Sequence, residues 1–210
     1  MTILRKAEHV ALSKITLSGR VLDLGGDKRS EYRKLFQGTF SLVTANMSNE
    51  SNPDIICDLE EPLPVEDSSF EGVLLINLLE HVFEYRKLLH ECARVLKNKG
   101  VIVVVVPFMF PYHPSPRDFH RYTKETLSRV LSEAGFREVH IEALGSGMNA
   151  ARWLFLQRLL PGFLQPISII IDPLVIICDK LFVALARALG RKYDPSDYAL
   201  GYIATARKIR

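Results

Sequence analysis

The apolar positions of this chain change period several times, and each change marks an element. Residues 3–17 place Ile3, Ala7, Val10, Ala11 and Ile15 at three- and four-residue spacing, which predicts a leading helix against a core. Residues 20–24 alternate apolar side chains with Asp23 and stop at Gly25-Gly26, the pattern of a buried strand running into a tight turn. Tyr32, Leu35 and Phe36 then predict a helix that ends near Gly38. Further strands are predicted over 40–45, 54–57 and 70–76, with a loop in place of a crossover helix over 47–53. Residues 58–70 hold two prolines and five acids and read as an ordered surface loop.

A second amphipathic helix is predicted over 85–96, with Leu88, Leu89, Cys92, Val95 and Leu96 on one face and a stop at Lys97-Asn98-Lys99-Gly100. The β-branched run 101–106 predicts a central strand. Residues 107–122 carry prolines at 107, 111, 114 and 116, and an irregular segment of that length is usually functional. Thr123 caps a helix running to Ala134, Gly135-Phe136 ends it, and strands follow over 137–144 and 198–207. Between those two strands lies an apolar insertion, 148–192, predicted as two or three helices.

Strands alternating with helices predict an open, mostly parallel α/β sheet. A chain of 210 residues suits one domain, 1–210, carrying the insertion. With 48% hydrophobic residues and a formal charge of +3, the chain can bury a core and shows no basic excess that would call for nucleic acid. Cys57, Cys92 and Cys178 lie in apolar stretches without metal-ligand spacing, so they read as reduced core residues of a cytoplasmic protein, and no metal is expected. The N-terminus has charges and no long apolar run, unlike a signal peptide.

Four segments carry a family resemblance: VLDLGG at 21–26, CDLEEPLPVEDSSFEGVLLINLLEHV at 57–82, ECARVLKNKGVIVVVVP at 91–107 and DFHRYTKETLSRVLSEAGF at 118–136. In this order and spacing they resemble the class I S-adenosylmethionine-dependent methyltransferases, in particular small bacterial members often linked to cell-surface glycan biosynthesis. The resemblance implies a Rossmann-like sheet of seven strands, the last antiparallel and inserted between the fifth and sixth. It also implies S-adenosylmethionine as cofactor and a small-molecule or glycan-like acceptor. The implied cofactor residues are Asp23, Gly25 and Gly26 at the first turn, Asn46 at the ribose, Asp58 with the Leu59 backbone at the adenine, and Asn77 beside the methionine part. Arg94 falls in the family's structural R-V-L signature.

The residues agree on the charge of the ligand. S-adenosylmethionine is cationic and lacks phosphate, so Asp23 and Asp27 around the glycines suit it better than a pyrophosphate. GxGxxG is missing as well. Two departures from the family keep a rival open. Only the first of the usual turn glycines is kept, and Asn46 stands where an acid normally holds the ribose. A degenerate methyltransferase-fold assembly protein is thus one alternative, and a nicotinamide-dependent oxidoreductase is the second.

The loop 107–122 faces the expected substrate crevice. His113 and His120 are its candidate bases, since a neutral imidazole accepts a proton near pH 7. Arg121, Tyr122 and, after the fourth strand, His81 are candidates for orienting the acceptor; Asp118 offers Arg121 an ion-pair partner. In the stretch 153–189, Arg158, Asp172, Asp179 and Lys180 interrupt the apolar run and Pro161, Pro166 and Pro173 break helices, which argues against a simple membrane span. A lid, a homodimer face and a peripheral membrane contact all remain open for it.

Overall fold

In the computed structural model, residues 1–26 and 31–209 are described, Ser51 by its backbone alone. Helix α1 (Ile3–Leu12) starts where the Thr2 side chain accepts the Arg5 N–H. Strands β1 (Gly19–Leu24), β2 (Phe40–Asn46), β3 (Ile55–Ile56) and β4 (Phe70–Ile76) come next. Helix α2 (Tyr85–Val95), strand β5 (Leu96–Pro107), helix α3 (Lys124–Glu133) and strand β6 (Phe136–Ser146) follow. The insertion forms α4 (Met148–Leu159), a 3-10 turn at Gly162–Ile167 and α5 (Ser168–Ala188), and β7 (Ala199–Lys208) closes the chain.

The strands form one seven-stranded sheet in the order β3-β2-β1-β4-β5-β7-β6. All neighbours are parallel except β7, which runs antiparallel to both β5 and β6. This is the doubly wound, Rossmann-like arrangement with an antiparallel last strand that the sequence implied.

The central strands are mostly apolar because they are covered on both sides. Side chains alternate between faces. Leu22, Leu24, Val73, Leu75 and Val104 pack under α2 and α3 with Leu88, Leu89, Leu127 and Leu131. Val21, Leu74, Val103 and Val105 pack on the other side under α1 and α4 with Leu4, Leu12, Trp153 and Leu154. Each fully buried Leu or Val contributes about 1.5–3 kcal/mol through loss of apolar surface from water.

Several expectations need correction. No α-helix follows the glycine turn among the described residues; Glu31–Lys34 form only a 3-10 turn. Tertiary hydrogen bonds explain why. Gln37 N–H donates to the Ile15 carbonyl at 2.9 Å, the Gln37 carbonyl accepts from Leu17 N–H at 2.9 Å, and the Gln37 side chain donates to the Ser13 carbonyl at 2.7 Å. They hold Gln37 extended beside the α1–β1 link, where a helix cannot continue. The expected acid at Asp27 lies outside the described residues. Helix α2 ends at Val95, and 97–100 belong to β5, because Leu96 pairs with Phe70 across a bulge. Of the three cysteines only Cys92 is a core residue; Cys57 is half-buried and Cys178 exposed.

Arg94 has a structural place. It binds Glu91 and Asp67 and donates to the Leu63 and Val65 carbonyls, tying the acidic loop to α2.

In the insertion, the two aspartates are buried and partnered. Asp179 accepts from the N–H groups of Asn149 and Ala150 and caps α4. Asp172 accepts from Trp153 and Gln157 and pairs with Lys6 of α1 at 2.7 Å. Among the described residues, no helix is long and apolar enough to cross a membrane.

Candidate functional site

The strand order reverses between β1 and β4, and ligands of open α/β sheets bind outside the carboxyl ends of strands at such a point. The implied cofactor residues at the ends of β1, β2 and β4 lie here. Gly25 has φ +74°, and a side chain there would run into Leu78. At Gly26 a Cβ atom would lie 2.2 Å from Asp23 Oδ2, so only glycine leaves the carboxylate face open.

Asp23 is fully buried. Its Oδ2 accepts from the Tyr32 hydroxyl at 2.7 Å, while Oδ1 has no hydrogen-bond partner among the described residues. Burial pushes its pKa up to about 7, against the opposing effects of the Tyr32 bond and the Arg33 charge. An orphaned, buried carboxylate oxygen beside an open glycine turn fits a ligand that brings a cation or a donor. The residues present therefore suit S-adenosylmethionine at this turn.

Asn46 is turned inward. Its Nδ2 donates to the carbonyls of Gly25 and Gly26, and its Oδ1 accepts from Ser48 N–H. Asp58 is exposed and its Oδ1 accepts from Glu60 N–H, with Leu59 buried beside it. Asn77 has φ +50°; its N–H donates to the Val105 carbonyl and its side chain reaches Glu8 Oε2 at 3.4 Å.

Next to Asn77 a cavity of about 420 Å³ opens, lined by Arg5, Glu8, His81, Phe110 and His113 among others. Three groups that line it, Glu8, His81 and His113, and the buried Glu80 next to His81 dominate its chemistry. Glu8 of α1 is buried, and burial raises its pKa despite Arg5. Glu80 is fully buried, and burial pushes its pKa up to about 8, with the nearby charges of Asp118 and Glu8 adding to the rise and its own backbone N–H and Arg121 opposing it. Burial lowers the His113 pKa, which keeps the imidazole neutral near pH 7. The rings of His81 and His113 meet edge to face at 5.1 Å.

The loop 107–122 is pinned, not free. Arg121 grips Asp118 through both carboxylate oxygens, and Asp118 Oδ2 also accepts from His113 N–H at 2.9 Å. The Arg121 side chain therefore faces its own loop. The Glu80 carbonyl accepts from the N–H groups of Phe119 and His120.

The two candidate bases are separated. His113 lines the cavity. His120 packs among Phe83, Phe119, Tyr85 and Tyr122, with Nε2 3.4 Å from the Phe83 carbonyl. Tyr122 is buried and its hydroxyl donates to the Leu79 carbonyl at 3.1 Å, a core position. Sequence reasoning did not single out Arg5 or Glu8. Their only signal was charge on an amphipathic helix that also carries Lys6 and His9, and nothing local shows that α1 borders the crevice.

Residues 37–104 match the family model described as a methyltransferase domain. A 44-residue stretch is 57% identical to an uncharacterised protein of Methanocaldococcus jannaschii, covering 21% of this chain and 19% of that one. A 91-residue stretch is 29% identical to a probable S-adenosylmethionine-dependent methyltransferase of Mycobacterium tuberculosis, covering 40% of this chain and 33% of that one. The aligned segments thus span a third or less of the length of these curated relatives. A crystal structure of an S-adenosylmethionine-dependent methyltransferase from Archaeoglobus fulgidus superposes with TM-score 0.59 at 18% identity, over 98% of this chain and 92% of that one. The chain has the fold of the class I S-adenosylmethionine-dependent methyltransferases, and the match to the methyltransferase-domain family is confined to residues 37–104.

Proposed function

We propose that this protein transfers a methyl group from S-adenosylmethionine to an oxygen or nitrogen of a small-molecule or glycan-like acceptor. The observation that carries the reading is the pairing of two features at one sheet edge. One is a glycine turn with an orphaned buried carboxylate at Asp23, and the other is the His81–His113 cavity beside Asn77. The bound cofactor supplies an electrophilic methyl on a cationic sulfur. Asp23, Gly25 and Gly26 hold the cationic end, Asn77 borders it, and Asp58 with Leu59 borders the adenine. His81 and Arg5 orient the acceptor, and neutral His113 takes the proton an acceptor hydroxyl must lose. Arg121 supports that role by fixing Asp118 and the loop.

Calorimetry with S-adenosylhomocysteine tests the reading. Binding in the micromolar range that is lost in Asp23→Ala is the expected result, with folding checked by circular dichroism. No heat from the folded wild type at millimolar ligand favours the assembly-protein alternative, which the inward Asn46 amide supports.

We further infer that the insertion rests on an anionic membrane surface. Helix α5 is inverted: Ser168, Asp172 and Asp179 face inward, while Ile170, Leu174, Ile177, Leu181 and Leu185 form a stripe 51% to 66% exposed. Exposed charges in the insertion are all basic: Arg152, Arg158, Lys180, Arg187, Arg191 and Lys192. An apolar stripe whose own helices expose only cations matches a bilayer carrying anionic lipids better than a second copy of the same basic face. The Arg158 guanidinium lies over the Phe110 ring at 5.1 Å, so the insertion abuts the cavity wall.

A further inference from the structure

We propose that Glu80, His81 and His113 form a binding site for a divalent first-row transition-metal ion. One carboxylate and two imidazoles are a common donor set for such ions, leaving positions open to a further ligand.

The three groups already converge. Glu80 Oε1 lies 3.7 Å from His81 Nε2 and 3.9 Å from His113 Nε2, and one donor atom from each residue falls within 4.8 Å of the others. Donors held about 2.0–2.2 Å from one ion sit roughly 3–3.6 Å apart, so small side-chain rotations close the difference. The same distances are too long for hydrogen bonds between these groups. Glu80 is fully buried, yet neither of its carboxylate oxygens has a hydrogen-bond partner outside the residue itself among the described residues. A buried carboxylate left in that state is costly, and a cation between it and the imidazoles removes the cost.

The surroundings prepare both imidazoles as ligands. His81 Nδ1 meets the Arg117 carbonyl, and an acceptor there fixes the proton on Nδ1 and frees the Nε2 lone pair. His113 Nδ1 lies 3.1 Å from the Pro111 carbonyl and 3.3 Å from Asp118 Oδ2, both closer than Arg121 Nη2 at 3.5 Å. A carboxylate behind a histidine, with its far nitrogen toward the ion, is the outer-shell arrangement that orients metal-bound histidines. Asp118 is itself held by Arg121. The open side of the group is the cavity that His81 and His113 line.

Metal binding does not depend on the methyl-transfer reading. Where that reading also holds, the ion would polarise an acceptor oxygen, and His113 would act as a ligand and not as a base.

The test is equilibrium dialysis of chelator-stripped full-length protein against Zn²⁺, with metal analysis, and Co²⁺ titration followed by visible absorption. We expect one ion per chain, a ligand-field spectrum, and a raised Tm with Zn²⁺. Glu80→Gln, His81→Gln and His113→Gln should each weaken binding at least about 100-fold, while His120→Gln binds as wild type. Glu80→Gln keeps the shape of the side chain and removes the buried ionisation, and an unchanged circular dichroism spectrum separates its loss of binding from a loss of fold. Wild type that takes up no Zn²⁺ at about 100 μM overturns the proposal. So does uptake that is unchanged in all three variants, which would locate the ion elsewhere.

Discussion

The Asn46 side chain is latched to Gly25: its Nδ2 donates to the Gly25 carbonyl at 3.2 Å, joining the end of β2 to the turn after β1. The amide orientation is fixed from the other side, where Oδ1 accepts from Ser48 N–H at 3.3 Å. A carboxylate at this position cannot donate, and it would face two carbonyl oxygens.

We predict that Asn46→Asp destabilises the free protein by about 1–2 kcal/mol through the lost bonds and the new repulsion. Ribose hydroxyls can donate to the same carboxylate, so the ligand-bound state regains what the free state lost. S-adenosylhomocysteine should therefore bind about tenfold tighter, since ~1.4 kcal/mol is a factor of ten. Thermal unfolding with and without ligand measures both effects. A variant that unfolds like wild type and binds no better contradicts the latch.

Asp23 should make the stability of the free protein depend on pH. Its folded pKa is raised, to about 7, above the ordinary value of 3.8. Its favourable contribution is therefore complete below about pH 4 and is lost as pH rises through 7. Asp23→Asn keeps an acceptor for Tyr32 and removes the ionisation. We predict that it is more stable than wild type at pH 8 by up to about 4 kcal/mol, with the difference vanishing near pH 4. Urea titrations of both proteins at the two pH values check this. A constant difference across that range is the contrary result.

The two loop histidines should differ. His113 borders the cavity, while His120 sits in an aromatic cluster beside Phe83 and Tyr85. For a hydroxyl acceptor, His113→Gln should lower turnover about 100-fold or more with S-adenosylhomocysteine affinity unchanged. His120→Gln should stay within a fewfold of wild type. Chelator treatment separates the two roles open to His113: activity lost on stripping and restored by Zn²⁺ marks a ligand, and activity indifferent to chelator marks a base. Equal activity in both variants removes His113 from the chemistry.

The exposed stripe on α5 predicts selective adsorption to lipid. Vesicles rich in phosphatidylserine should carry the protein in flotation, neutral vesicles far less, and high salt should weaken the association. Ile170→Glu with Leu181→Glu should abolish flotation and leave Tm nearly unchanged, because these side chains are 66% and 64% exposed. Light scattering on the same samples reports the competing outcome. A dimer that ignores anionic vesicles and dissociates in the double variant assigns the stripe to a second copy.

The sequence by itself determined the elements whose cause is local. The nearly continuous apolar run at 70–76 and the continuous one at 101–106 required strands covered on both faces, because successive side chains point to opposite sides. Thr123 set the start of α3 through its own hydroxyl, and Gly25-Gly26 marked the turn because only glycine tolerates the conformation and the approach of Asp23. Tertiary structure decided what depends on distant partners. Apolar spacing at Tyr32, Leu35 and Phe36 suggested a helix, but Gln37 is held extended by bonds to the α1–β1 link, and long-range bonds override weak local preference. The Asn46 amide was readable as a residue and not as a latch. The convergence of Glu80 and His81 with His113 follows from β4 and β5 being neighbours in the sheet, and Glu8 comes beside them because α1 packs over β6 and β7, next to β5. That neighbourhood is a property of the strand order, and no local periodicity encodes it.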